Sequence, residues 1–86
     1  MSRSLIRTFW NCGDSAIIDF AMDRARLNRE ERNVLHYILD ECFTQEYTAE
    51  HMNISTRKVQ QLWASACDKL LLIDWVVAYA KSINSF

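Results

Sequence analysis

Within the stretch from Ser55 to Gln61 stand Ser55, Thr56, Arg57, Lys58, Gln60 and Gln61, a dense run of side chains able to hydrogen bond to the edge of a base pair. Arginine can bond both acceptors of a guanine, a glutamine amide can pair with adenine, and threonine can meet a thymine methyl or a phosphate. Arg29 and Arg32, further back, are of the type that holds phosphate. The same polar residues could equally form the solvated side of an amphipathic helix. Which role they take depends on the elements that carry them.

Other chemistries find less support. His36, Cys42, His51 and Cys67 include zinc-ligand types, but no two have the close paired spacing of a structural zinc site. No metal site is expected; Cys42 and Cys67 read as small core residues and His51 as a surface residue. A glycine-rich phosphate loop, a nucleophile elbow and an enclosed carboxylate pair are all lacking. The sequence therefore predicts a protein without catalytic residues and without a cofactor.

The positioning elements follow from residue spacing. Thr44 can cap a short helix whose inward positions are Thr48, Ala49 and Met52, since side chains three and four apart share a face. Ala49 is small enough to let a second helix cross closely. Asn53 falls where the chain must reverse, and asparagine tolerates the left-handed conformation that ends many helices. Ile54 follows as an apolar plug. Ser55 can then cap a second helix that presents Val59, Trp63, Ala66 and Leu70 on one face. The result is a helix, a turn and a second helix, the second carrying the polar run in its first turns, where a recognition helix meets the major groove.

The succession Leu27, Glu31, Arg32, Val34, Leu35, then Thr44, Ala49, Met52, Ile54, Ser55, Val59, Trp63, Ala66 and Leu70 resembles the helix-turn-helix of sigma factor region 4 and of the related LuxR-type regulators. The resemblance covers about half of the chain. It implies an all-α domain that binds double-stranded DNA and regulates transcription. It also implies RNA polymerase or another protein as a partner. Three positions depart from the family pattern: Cys42 stands where glycine is usual, Tyr47 where glutamate is, and Thr48 where isoleucine or valine is.

With 86 residues the chain is expected to form one small domain, 50% hydrophobic and 24% charged. It has no proline and one glycine, Gly13, so little forces the backbone out of helix. A bundle of four to five helices follows, containing the helix-turn-helix and an apolar C-terminal helix. Three cysteines without a CxxC pair and the lack of a long apolar run predict a cytoplasmic protein with no membrane segment. The net charge of −1 disfavours holding nucleic acid by bulk electrostatics, so any binding must come from local clusters such as Arg24, Arg26, Arg29 and Arg32, or Arg57 and Lys58.

Residues 1–13 read as an N-terminal arm, in which Leu5, Ile6, Phe9 and Trp10 alternate with Arg3 and Arg7. The arm is either a helical turn packed on the domain or a basic, aromatic contact to a partner. Residues 14–86 form the helix-turn-helix domain. A first helix capped by Asp14 or Ser15 runs to about Arg26, and a second runs from about Arg29 to Cys42, with Asn28 and Glu31 at capping-box spacing. The recognition helix spans about 55–70 and the C-terminal helix about 73–83, although one rod continuing to about Ser82 satisfies the same apolar stripe. Leu71, Leu72, Trp75, Val76 and Tyr79 offer further apolar surface, which predicts a homodimer through the C-terminal helix. Two functions fit. One is a DNA-binding transcriptional regulator or sigma-like accessory factor. The other is a protein-interaction module on the same scaffold, binding a polymerase component or a phage or host protein through Leu62, Leu71, Trp75 and Tyr79.

Overall fold

A computed structural model of the chain describes residues 4–84; Met1 to Arg3 of the expected arm, and Ser85 and Phe86, lie outside the described residues. The described chain is helical throughout. Its elements are α1 (Ser4–Cys12), α2 (Ser15–Arg24), α3 (Arg29–Leu35, continued by a π-helical stretch His36–Asp40), α4 (Gln45–Met52), α5 (Thr56–Leu71) and α6 (Asp74–Asn84). Six helices therefore replace the expected four to five. The addition is α1, formed within the segment read as an arm, where Ile6, Phe9 and Trp10 share one face and are buried.

The described residues fall into two compact units. The first takes the chain up to Leu27 together with the chain from Cys67 onward. Here α1 packs on α6, with Phe9 fully buried. The Phe9 ring meets Tyr79 edge-on at 5.6 Å and Trp75 at 6.1 Å, and Phe20 of α2 lies 5.8 Å from Trp75. Helix α6 is amphipathic: Val76, Val77 and Ala80 are buried while Ala78, Lys81 and Ser82 face outward. Val76, expected on a self-association surface, is 1% exposed and belongs to this core. Gly13 ends α1 by close approach: its N–H donates to the Phe9 carbonyl at 2.8 Å, and an added Cβ would lie 2.9 Å from that oxygen.

The second unit is Asn28–Ala66. Its core is Val34, Ile38, Ala49, Val59 and Leu62, with Met52, Ile54 and Trp63 packed against it. Leu62, expected to face a partner, is thus a core residue. Cys67 is buried as expected, whereas Cys42 is exposed and not a core residue, because it occupies the left-handed turn that ends the π-helical stretch and not an inward helical position.

One device recurs along the chain. Arg26, Cys42 and Asn53 adopt the left-handed conformation (φ 57°, 58° and 59°), each is followed by an apolar residue, and each apolar residue by an N-cap. The triplets are Arg26-Leu27-Asn28, Cys42-Phe43-Thr44 and Asn53-Ile54-Ser55. The left-handed residue folds the chain back so that the ended helix's last carbonyls are used: Leu27 N–H donates to Met22, Phe43 N–H to Tyr37 and Ile54 N–H to Ala49. The cap then serves the next helix, with Asn28, Thr44 and Ser55 side chains accepting from the N–H groups of Glu31, Tyr47 and Lys58. The helix expected to reach Cys42 instead leaves α-geometry at His36 and closes with Glu41 N–H donating to the His36 carbonyl, five residues back. The last helix pair is separate and not one rod, with α5 ending at Leu71 and α6 starting at Asp74.

A left-handed residue with a Cβ carries strain of about 1 kcal/mol, which glycine relieves at some entropic cost. Cys42→Gly should raise the thermal unfolding midpoint followed by circular dichroism by a few degrees, and Asn53→Val should lower it by more. Equal midpoints for all three proteins would contradict the strain at these turns.

Candidate nucleic-acid interface

The turn between α4 and α5 sets the site. Asn53, at φ 59° and ψ 44°, donates its N–H to Glu50, and Ile54 donates to Ala49, the paired bonds of a Schellman motif. Ile54, partly buried, packs against the core that holds Ala49 and Val59, which fixes the direction in which the chain leaves the turn. Ser55 caps α5 through the bond from Lys58 N–H to its Oγ at 3.0 Å. Thr48 is fully buried, and its hydroxyl donates to the Thr44 carbonyl at 2.8 Å, so a hydroxyl fits where the family pattern has a branched hydrocarbon.

Across this unit a buried carboxylate ties two helices together. Glu31, 1% exposed, accepts at Oε1 from the Asn28 N–H at 2.9 Å, completing the capping box of α3. Its Oε2 accepts from the Ser65 hydroxyl of α5 at 2.6 Å. Charge-assisted bonds of this length hold both partners in register. The capping box was legible from residue spacing; the bond to Ser65, 34 positions away, was not.

Of the sequence-predicted contact residues, Ser55, Arg57, Lys58, Gln60 and Gln61 are exposed at the start of α5, and Thr56 is half-buried. Val59, between them, points into the core. Arg29 is exposed in the first turn of α3, and Arg32, half-buried, is already engaged within the structure. One residue escaped the sequence reading: Gln45, first in α4, accepts at Oε1 from the Gln60 Nε2 at 3.2 Å and so steadies one of the amides of the polar run. A glutamine fifteen positions away gives no periodic signal. Leu72 is strongly exposed, Trp75 is 36% exposed, and Leu71 and Tyr79 are half-buried. With Phe20, Ile17, Ala16 and Asp14, Trp75 and Tyr79 line an open apolar groove of about 580 Å³ in the first unit. Among the described residues no group of His, Cys, Asp and Glu is placed to hold a metal ion, and no helix is long and apolar enough to cross a membrane.

A short helix, a left-handed asparagine elbow and a capped second helix presenting a polar run together define a helix-turn-helix domain. The sequence matches the family model of sigma-70, region 4 across residues 25–70, more than half of the chain, and the protein belongs to that family. Comparison with curated proteins and comparison with solved structures find no match.

Removing the buried carboxylate leaves the Ser65 hydroxyl and the Asn28 N–H without an acceptor. Glu31→Ala should therefore cost about 2–4 kcal/mol in urea unfolding. The double variant with Ser65→Ala should cost less than the sum of the single changes. Strict additivity would show that the two side chains do not act on each other.

Proposed function

We propose that this protein is a DNA-binding transcriptional regulator or sigma-like accessory factor that places the start of α5 in the major groove. The observation that carries this reading is the division of α5. Its apolar residues Val59 and Leu62 are locked in the core while Arg57, Lys58, Gln60 and Gln61 remain exposed on the same turns. Membership of the sigma-70 region 4 family supports it. In this reading Arg57, Gln60 and Gln61 meet base edges, Ser55, Thr56 and Lys58 meet base edges or backbone, and the exposed Arg29 holds phosphate, with Arg32, engaged within the structure, adding its charge beside it. Duplex DNA is then the main partner, and RNA polymerase is a protein partner consistent with the family. No residue is assigned a catalytic role and no cofactor is needed. With a net charge of −1, affinity rests on these few cations, so binding should be strongly salt-dependent yet modest in strength.

A second reading has its own observation. The groove lined by Phe20, Trp75 and Tyr79, with Leu72 beside it in sequence, is apolar surface of a kind that supports protein association, whether with another protein or as a homodimer. This reading retains Leu71, Leu72, Trp75 and Tyr79, adds Phe20, and drops the buried Val76 and Leu62.

Arg57→Ala with Lys58→Ala should weaken duplex binding and lower the slope of log affinity on log salt by about 1–2, with helicity unchanged. Parent-like binding by the double variant would remove the groove assignment. For the second reading, Trp75→Glu should convert a dimer to a monomer in sedimentation; the same mass before and after would exclude self-association through this groove.

A further inference from the structure

Between Arg32 and Arg57 the chain contains no lysine or arginine, but it contains Asp40, Glu41, Glu46 and Glu50. The same segment carries a cluster of rings that the helix-turn-helix function does not use. Tyr37 stacks on Phe43 with centroids 5.5 Å apart and planes 2° from parallel. Phe43 meets Tyr47 at 4.4 Å, and His51 closes the cluster against Tyr37 at 4.9 Å and Tyr47 at 6.3 Å. The rings are not a buried core: Tyr47 is 52% exposed and His51 is exposed. Tyr47, His51 and the carboxylate-bearing Glu50 line a cleft of about 210 Å³.

This face is separate from the polar run of α5. On α4, Gln45 reaches Gln60, whereas Tyr47 lies two residues on, about 200° around the helix, and His51 four residues beyond that. The π-helical stretch and the left-handed Cys42 bring Tyr37 and Phe43 to the side of α4 that Tyr47 and His51 occupy. Tyr47 stands where the family pattern has glutamate, so the ring is a feature of this chain.

We propose that the surface of Tyr37, Phe43, Tyr47, His51, Glu46 and Glu50 is a docking site for an arginine-bearing segment of a protein partner. Ring faces and carboxylates both attract a cation, and guanidinium suits the combination best, because its plane stacks on an aromatic ring while its N–H groups reach a carboxylate. Asp40 and Glu41 lie 2.9 and 3.6 Å from the ring nitrogens of His36, itself 5.6 Å from Tyr37, so two further carboxylates stand near the ring cluster. Among the described residues no ion pair engages Glu46 or Glu50, whose charge is left for an incoming partner. Nucleic acid is a poor occupant, since the carboxylates that favour guanidinium repel phosphate. The site goes beyond the DNA-binding reading and leaves the start of α5 open.

The test is fluorescence anisotropy with a labelled short peptide of alternating glycine and arginine, run beside its glycine–lysine and glycine–glutamate counterparts at about 0.1 M salt. The full chain should bind the arginine peptide saturably, the lysine peptide more weakly and the glutamate peptide not at all. Tyr47→Leu, which keeps apolar bulk but loses the ring, and Glu50→Gln should each weaken arginine-peptide binding about threefold to thirtyfold with helicity unchanged. Arg57→Ala with Lys58→Ala should leave it as it was, whatever that variant does to DNA affinity. Equal affinity of parent and Tyr47→Leu, or of the arginine and lysine peptides, would overturn the proposal by reducing it to general charge attraction. A parent mass above that of a monomer that Glu50→Gln abolishes, without peptide binding, would overturn it in favour of a second copy of the chain.

Discussion

Every helix end leaves backbone groups without an intrahelical partner, and a short chain with many helices must satisfy many of them. This protein does so with a compact triplet, a left-handed residue, an apolar residue and a cap, used at Arg26, Cys42 and Asn53. Within three residues the carbonyls of one helix and the N–H groups of the next are bonded, and an apolar side chain follows the reversal. At Asn53-Ile54-Ser55 that side chain packs against the core, so the turn and the packing fix each other. The direction of α5, and with it the presentation of Arg57, Lys58, Gln60 and Gln61, follows from this elbow.

Glu31 works at longer range. A carboxylate withdrawn from water is costly unless its oxygens are bonded, and here they accept from the start of α3 and from the middle of α5. Its two bonds impose an order on helices that apolar packing alone would leave freer to slide, because dispersion contacts are non-directional and these are not. The polar group thus specifies arrangement within a core otherwise built from Val34, Ile38, Ala49, Val59 and Leu62.

Charge is distributed to match. The bulk value of −1 conceals a helix-turn-helix unit whose cations lie at the start of α5 and, beside Glu30 and Glu31, at the start of α3, and whose other carboxylates lie from the end of the π-helical stretch through α4. A domain of this kind can present a positive surface to one partner and a negative, aromatic one to another, since exposed charges are screened within about 10 Å at ordinary salt. The open groove at Phe20, Trp75 and Tyr79 in the other unit adds apolar surface of a different character.

What could be read directly was local. Thr44, Asn53 and Ser55 announce a cap, a reversal and a cap because each role depends on backbone bonds within a few residues. The inward positions Ala49, Met52, Val59 and Ala66 follow from helical period, and the family resemblance rests on those same positions. By contrast, the near absence of glycine hid the left-handed turn at Arg26, since arginine gives no hint of adopting it, and left the one at Cys42 marked only by the glycine that the family pattern has there. The burial of Val76 and Leu62, the exposure of Cys42, the bonds from Ser65 to Glu31 and from Gln60 to Gln45, and the gathering of Tyr37, Phe43, Tyr47 and His51 were decided only in three dimensions. The physical reason is that the helical period says which side chains share a face, while what comes to lie against that face depends on how distant segments pack.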